Sequence, residues 1–273
     1  SGSQQVFVVP AHGGTPRQMT SGDFPISSAV TWSPDSQSVI FSSNRRDDAE
    51  YHPRQSDLFA AALLTGQITQ ITDTAGPEGR PVVSPNGRYL AYTQTADIRQ
   101  GYNGAKLTIR DLKTSESRSL TTDFDRSVSD IQWSQDSKSL WISYTDLGMV
   151  RVAKIDLRGK LRQSDIVLGG TAIGRPYTSG SFSVGGKGRL AYTLGRDDRP
   201  ADVALMRPGK TPLKLTDLNG DLMGQRQMTR AERITWPSSH DAMMIEGWVM
   251  KPPGFDPAKT YPMILEIHGG PPA

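Results

Sequence analysis

The residues best suited to chemistry stand in the sequence His268-Gly269-Gly270-Pro271, directly after a largely apolar run at residues 261–267. The apolar run predicts a strand buried on both faces of a sheet. Glycine at the exit of a strand lets the backbone turn, so that a peptide N–H can point into a cavity. An N–H held in this way can stabilise the oxyanion that forms during acyl transfer. We therefore predict half of an oxyanion hole here, with His268 and Gly269 shaping the turn.

The other parts of an acyl-transfer site are not found in the sequence. A nucleophilic serine on a strand-to-helix elbow requires the pattern G-x-S-x-G, which occurs nowhere in the chain. The nearest imitation, at residues 180–185, has the wrong spacing and falls in a predicted strand. Since no aspartate or histidine follows Gly270 either, this chain alone is predicted to be inactive. A serine, an aspartate and a histidine would have to lie beyond Ala273.

Metal and cofactor chemistry is not predicted. The four histidines, at positions 12, 52, 240 and 268, have no paired ligand spacing and no neighbouring cluster of carboxylates. Cysteine is absent, which excludes disulfides, thiolate zinc sites and iron–sulfur clusters. We therefore expect no metal and no cofactor. The compartment stays open between cytoplasm and periplasm, with the periplasm favoured.

Composition narrows the fold class and the partners. The 273 residues are 36% hydrophobic, and the net charge of +3 is small and evenly scattered, so a nucleic-acid partner is not expected. No apolar run approaches the roughly 18 residues of a membrane-spanning helix. The 27 glycines and 19 prolines favour many short strands joined by turns over a helical bundle.

A repeat of about fifty residues organises most of the chain. A strand, a polar turn and a second strand recur around Ser33, Ser84, Ser134 and Ser183, which are 51, 50 and 49 residues apart. Two further strands follow each copy, and the third and fourth strands of a unit also precede the first copy. Four strands per repeat predict an all-β fold, a partial β-propeller of about four and a half blades. We assign residues 1–229 to this propeller and interpret it as incomplete at its N-terminal end.

A charged insertion at residues 44–55 interrupts the first complete blade. Loops on rigid scaffolds often carry binding residues. Arg45, Arg46 and Arg54 are therefore candidate substrate-binding residues, which would meet a substrate carboxylate or a docked domain. The alternative is an ordinary solvated loop. The aromatic residues of the strands are predicted to pack between blades instead: Trp32, Tyr92, Trp133, Trp141 and Tyr192.

The repeat ends after Thr216, and a different unit follows a polar connector that includes a possible helical turn. Two predicted strands flank the polar turn at residues 238–242, and the apolar run at 261–267 comes next. Several short motifs together resemble the prolyl oligopeptidase family, in its acylaminoacyl-peptidase and dipeptidyl-peptidase-like branch. They are W-S-P-D at 32–35, S-S-N-R at 42–45, D-L-F at 57–59, E-G-W at 246–248, P-P-G-F at 252–255, Y-P at 261–262 and H-G-G-P at 268–271.

This resemblance implies a propeller that restricts access to an α/β-hydrolase domain cutting short peptides. Residues 230–273 would be the first strands of that domain, and Gly270 would give its backbone N–H to the oxyanion. The implied partners are a short peptide and the remaining hydrolase residues, on the same polypeptide or on a second chain. A homo-oligomer is also left open. The chain departs from the family where relatives have Asp-Gly in the hairpin turn, since it reads His240-Asp241-Ala242.

Two alternatives from other functional classes remain open at this stage. The blade sequences are also similar to the TolB-like propellers that scaffold periplasmic complexes without catalysis. Such a scaffold gives no reason for an apolar strand followed by His-Gly-Gly-Pro. A carbohydrate-active propeller would need an acidic pair in its central funnel, and the sequence assigns none.

Overall fold

The computed structural model describes residues 3–26, 29–96, 103–170 and 179–267. The chain divides into two compact units, one of Ser1–Ile166 with Ser183–Arg189 and one of Val167–Phe182 with Leu190–Ala273. Nearly all regular structure is antiparallel strand, as the composition predicts. The partial all-β propeller is confirmed.

The described strands form an opening hairpin, four four-stranded sheets, here called blades one to four, and a second hairpin, each in simple sequence order. The opening hairpin pairs β1 (Phe7–Val8) with β2 (Arg17–Gln18) and corresponds to the predicted half-blade. Blade one contains β3 (Thr31–Trp32), β4 (Ser38–Ser43), β5 (Asp57–Ala62) and β6 (Ile68–Gln70); blade two contains β7 (Glu78–Val83), β8 (Tyr89–Gln94), β9 (Lys106–Asp111) and β10 (Ser117–Ser119). Blade three contains β11 (Val128–Trp133), β12 (Ser139–Asp146), β13 (Met149–Asp156) and β14 (Leu161–Leu168); blade four contains β15 (Phe182–Val184), β16 (Leu190–Arg196), β17 (Arg199–Met206) and β18 (Leu213–Lys214).

The core of the first unit lies between successive sheets. Alternate residues of a strand point to opposite faces, so each middle strand feeds two separate clusters. Val39 and Phe41 of β4 pack against the opening hairpin, where Phe41 stacks on Phe59 at a ring-centroid distance of 6.0 Å. Their neighbour Ile40 packs instead with Tyr92 of blade two. This two-sided burial explains why the middle strands are apolar on both faces.

Among the described residues, a threonine closes blades one, two and four and the opening hairpin in the same way. The hydroxyl of each threonine accepts the backbone N–H of a residue in the neighbouring strand. The pairs are Thr20 with Val6 at 2.9 Å, Thr72 with Leu58 at 2.9 Å, Thr121 with Leu107 at 2.8 Å and Thr216 with Val203 at 2.9 Å. The threonine therefore continues the backbone ladder past the last regular residue of the blade.

The repeated turn between the first two strands of a blade is also built alike. The backbone N–H of Ser33, Ser84 and Ser134 donates to a carbonyl at the start of the next strand, at 2.8–2.9 Å. In blade four this bond is made by Gly185, which donates to Arg189 at 2.8 Å. The predicted alignment of Ser183 with the turn serines is therefore wrong by two residues. The error arises because Ser183 lies inside β15, while a glycine takes the turn position.

Four of the five aromatic residues predicted to pack in the core are buried: Tyr92, Trp133, Trp141 and Tyr192. Trp32 is 47% exposed, so its predicted burial is wrong. The physical reason is the sheet that precedes each residue. Trp133 of β11 packs on β7 and β8, the first two strands of blade two, whereas the described sheet before blade one is only the two-stranded opening hairpin.

In the second unit, a connector with one helical turn, α1 (Gly220–Met223), leads to a hairpin of β19 (Ala231–Pro237) and β20 (Met244–Met250). Seven residue pairs join the two strands. Ala242 in the turn has φ 59°, a left-handed conformation that favours glycine. The position where relatives carry Asp-Gly therefore keeps a glycine-type conformation with alanine in it.

The apolar run at residues 261–267 does not form the predicted buried strand. It has no ladder partner among the described residues, and Ile264 is 97% exposed. A strand buried on both faces needs neighbouring strands and covering helices, and none of the described elements supplies them. The apolar pattern alone could not show this.

Candidate functional site

The predicted oxyanion turn, His268, Gly269 and Gly270, lies outside the described residues. Its assignment therefore stays a prediction from the sequence. The described site with the clearest geometry lies in the first unit, beside the charged insertion at residues 44–55. That insertion contains a short 3-10 helix, Ala49–Tyr51.

The structure gives the three predicted arginines three different environments. Arg45 is half-buried, with its guanidinium 4.4 Å from the ring centroid of Phe24, and burial lowers its pKa. Arg46 forms an ion pair with Asp48 at 2.9 Å, and both side chains are almost half exposed. Arg54 is exposed and lines a cleft. Of the three arginines of the insertion, only Arg54 therefore lines the cleft.

This cleft has a volume of about 360 Å³ and is formed by residues of blades one and two. Three prolines contribute to its walls: Pro25, Pro53 and Pro77. Its two cationic lining residues are Arg54 and Arg80. Arg80 was not among the residues predicted from the sequence.

Arg80 occupies an unusual backbone position within β7. Its φ is 53°, and the register of β7 against β8 shifts between Gly79 and Val82, which is a β-bulge. A non-glycine residue in this region costs about 1–3 kcal/mol and persists only where its surroundings hold it. Arg80 keeps about half of its side chain exposed and lies 3.8 Å from Asp130. The glycine and proline beside it in a strand were the available sequence signal for this bulge.

Glu78 precedes the bulge and is buried, with an exposed fraction of 1%. Its side-chain oxygens accept hydrogen bonds from the hydroxyls of Thr72 and Thr74. Its backbone carbonyl accepts from Ser42 at 2.5 Å and Ser56 at 2.8 Å. Burial raises the pKa of Glu78 in spite of the threonine hydrogen bonds. The residue joins blades one and two through both its backbone and its side chain.

Replacing Glu78 by glutamine should change how stability depends on pH. Because the folded-state pKa is raised above the ordinary value of 4.5, the acid form of Glu78 favours folding. Its contribution is complete below pH 4.5 and is lost as the pH rises through the folded-state pKa. Glutamine does not titrate, so Glu78→Gln should gain stability relative to the parent as the pH rises from 4 to 8.

Urea denaturation at several pH values measures this difference, with the exposed Glu116→Gln as the matched control for removing a carboxyl group. A Glu78→Gln difference that stays constant from pH 4 to 8, or that changes in the opposite direction, would show that burial does not dominate at this carboxyl.

A second charged cluster lies in the second unit, at the turn between β16 and β17. Asp198 is 8% exposed and accepts from Arg196 at 2.8 and 3.0 Å and from Arg230 at 3.2 Å. Burial opposes its ionisation, but the hydrogen bonds from Arg230 and Arg196 prevail and lower its pKa. Asp197 accepts the backbone N–H of Ala231, where β19 begins. These bonds fasten the start of the hairpin to the turn of blade four.

Two further findings concern sites and membranes. Within residues 3–26, 29–96, 103–170 and 179–267, no three histidine or carboxylate side chains are grouped so that they could hold a metal ion. In the same part of the chain, no helix is long and apolar enough to cross a membrane.

Comparison with known proteins bears on the family. The model of the family described as the dipeptidyl peptidase IV (DPP IV) N-terminal region matches residues 1–96. Dipeptidyl-peptidase 5 of Porphyromonas gingivalis is 28% identical over 246 residues, covering 88% of this chain and 34% of that protein. This chain matches the N-terminal region of prolyl oligopeptidase-family peptidases. The family resemblance predicted from the sequence is confirmed, and the chain spans about a third of that relative's length.

Solved structures show the same fold in this peptidase family and outside it. The uncomplexed acylaminoacyl peptidase of Pyrococcus horikoshii has a TM-score of 0.66 at 16% identity, covering 90% of this chain and 36% of its own. TolB from Acinetobacter baumannii has a TM-score of 0.56 at 18% identity, covering 78% of this chain and 48% of its own. Both likenesses show the fold alone. The sequence matches are to peptidases, so the peptidase interpretation fits better than the TolB-like scaffold.

Proposed function

We propose that this chain is the gating propeller and the first part of the catalytic domain of a serine peptidase that cleaves short peptides. The observation that carries the proposal is the match to a dipeptidyl peptidase over 88% of the chain. The catalytic serine, aspartate and histidine would lie beyond Ala273, and this chain alone would be inactive. We call the protein that includes those residues the full-length protein.

In this proposal, residues 1–229 form the propeller and residues 230–273 begin the α/β-hydrolase domain. The exposed apolar side chains of the β19–β20 hairpin support this division. Trp236 is 42% exposed and Trp248 is 51% exposed, and Ile264 and Ile267 beyond the hairpin are 97% and 78% exposed. Trp236 and Trp248 lie on opposite faces of the hairpin, and exposed apolar surface on both faces normally packs against other parts of a domain or against a partner. Further strands and helices of a hydrolase domain would cover it.

The proposed catalytic role within this chain belongs to Gly270. Its backbone N–H would stabilise the tetrahedral oxyanion, and the second donor would be the N–H after the nucleophile. His268 and Gly269 would hold the turn in shape. Among the candidate substrate-binding residues, Arg54 is retained because it lines the cleft, whereas Arg46 is paired with Asp48 and Arg45 packs on Phe24.

Covalent labelling of the full-length protein with a fluorophosphonate probe tests the proposed chemistry. The probe reacts with serines that a neighbouring base has activated. One adduct on the full-length protein, and none on this chain alone, is the expected result.

A further inference from the structure

We propose that the cleft between blades one and two binds a carboxylate group of the peptide substrate, with Arg54 and Arg80 as the recognising side chains. The proposal rests on the proposed peptidase function and extends it to a substrate class, peptides that carry an acidic side chain or a free C-terminal carboxylate. Arg54 comes from the charged insertion and Arg80 from the bulge in β7, and both line the same 360 Å³ cleft.

The charges in the cleft favour an anion. Glu78 is the acidic lining residue, and its carboxyl group is buried and engaged by Thr72 and Thr74. Arg54 and Arg80 keep much of their side chains exposed, and Arg80 also forms an ion pair with Asp130 at 3.8 Å. A guanidinium group presents several N–H donors in a planar fork that matches the two oxygens of a carboxylate. Among the residues that line the cleft, the exposed charges are therefore positive.

Three neutral polar side chains of the cleft donate hydrogen bonds to backbone carbonyls within its walls. Gln55 donates to the carbonyl of Thr74 at 2.8 Å, Ser56 donates to the carbonyl of Glu78 at 2.8 Å, and Thr93 donates to the carbonyl of Gly79 at 3.1 Å. Together with the three prolines, these bonds hold the walls in one shape. A site that is already ordered loses less conformational freedom when a ligand binds.

The backbone conformation of Arg80 points to the same use. A left-handed backbone conformation at a residue other than glycine is energetically unfavourable. Bulges often redirect side chains beside binding sites. The volume of about 360 Å³ lies at the small end of the range for ligand pockets, roughly 300–1,000 Å³. It suits one or two residues of a peptide rather than a large ligand.

The test compares matched peptide substrates of the full-length protein. One peptide pair differs only by glutamate against glutamine, and a second pair differs only by a free against an amidated C-terminus. We expect kcat/KM to be about tenfold higher for the acidic member of at least one pair, as for a hydrogen bond between charged groups. The pair that shows the preference identifies the source of the carboxylate.

In Arg54→Gln and Arg80→Gln this preference should fall to nearly one. Arg46→Gln is the matched control, because it removes the same charge from the same insertion but outside the cleft. Arg80→Gly is a second check. Glycine adopts the left-handed backbone conformation without steric strain, so this variant should keep its thermal stability while it loses the preference for the acidic peptide.

Two results separate the possible failures. Cleavage of all four peptides with no acidic preference, or with a preference that Arg46→Gln removes equally, would overturn the subsite and leave the proposed function standing. Absence of any cleavage would count against the proposed function instead. In that case fluorescence anisotropy of the labelled acidic peptide still decides on the subsite: binding weakened about tenfold by Arg54→Gln supports it, and unchanged or absent binding refutes it.

Discussion

In the full-length protein, the substitution Gly270→Val should lower kcat by about 10²–10³, the usual effect of losing one oxyanion donor. A β-branched side chain stiffens the backbone and fills the space beside the N–H that would point at the oxyanion. Because that hydrogen bond would strengthen only in the transition state, kcat and kcat/KM should fall together and KM should change little. Steady-state kinetics on one dipeptide or acylated amino-acid substrate measures the three constants.

Gly270→Ala serves as the graded control for this substitution. Its smaller side chain should produce a smaller loss of kcat, and both variants should keep the melting temperature of the parent within a few degrees. Normal turnover in Gly270→Val would exclude Gly270 as the oxyanion donor. A loss that appears only in KM would assign the turn to substrate binding.

The second large effect is expected at Trp133, where Trp133→Ala should destabilise the protein by about 3–5 kcal/mol. The indole is 6% exposed, stacks on Tyr89 at 6.2 Å and 17°, and donates from Nε1 to the carbonyl of Val82 at 2.9 Å. The substitution would leave a cavity between blades two and three and an unpaired carbonyl. Chemical denaturation followed by far-UV circular dichroism measures the loss.

Trp32→Ala is the matched control, since Trp32 is the same residue type at the same position of blade one, two repeats earlier, but is 47% exposed. Its loss should stay near 1 kcal/mol or below. Equal losses at the two positions would contradict the packing of blades described here.

The sequence predicts the propeller well because the blade is a local structure. Alternating apolar residues, turn residues and threonine-ended closing segments all fall within about fifty residues, and the sheets follow that order. The misplacement of Ser183 shows the limit of such alignment. The backbone N–H of a glycine can make the same hydrogen bond in the turn as that of a serine. The sequence alone therefore does not show whether Ser183 or Gly185 takes the turn position.

The cleft could not be predicted in the same way, because its residues are brought together by packing between blades. Arg54 and Arg80 belong to different repeats, and their common cleft depends on a bulge that breaks the strand alternation. The buried carboxyl of Glu78 likewise depends on two threonines in the loop between β6 and β7. The charged insertion identified Arg54 but gave no reason to separate it from Arg45 and Arg46.

The central claim is that this chain belongs to a serine peptidase, and intact-mass spectrometry after fluorophosphonate treatment tests it most directly. The full-length protein should gain the mass of one probe, heat-denatured protein should gain none, and this chain alone should also remain unlabelled. A folded full-length protein that stays unlabelled under conditions where a known serine hydrolase reacts completely would contradict the claim. The propeller would then have to act by binding rather than by catalysis.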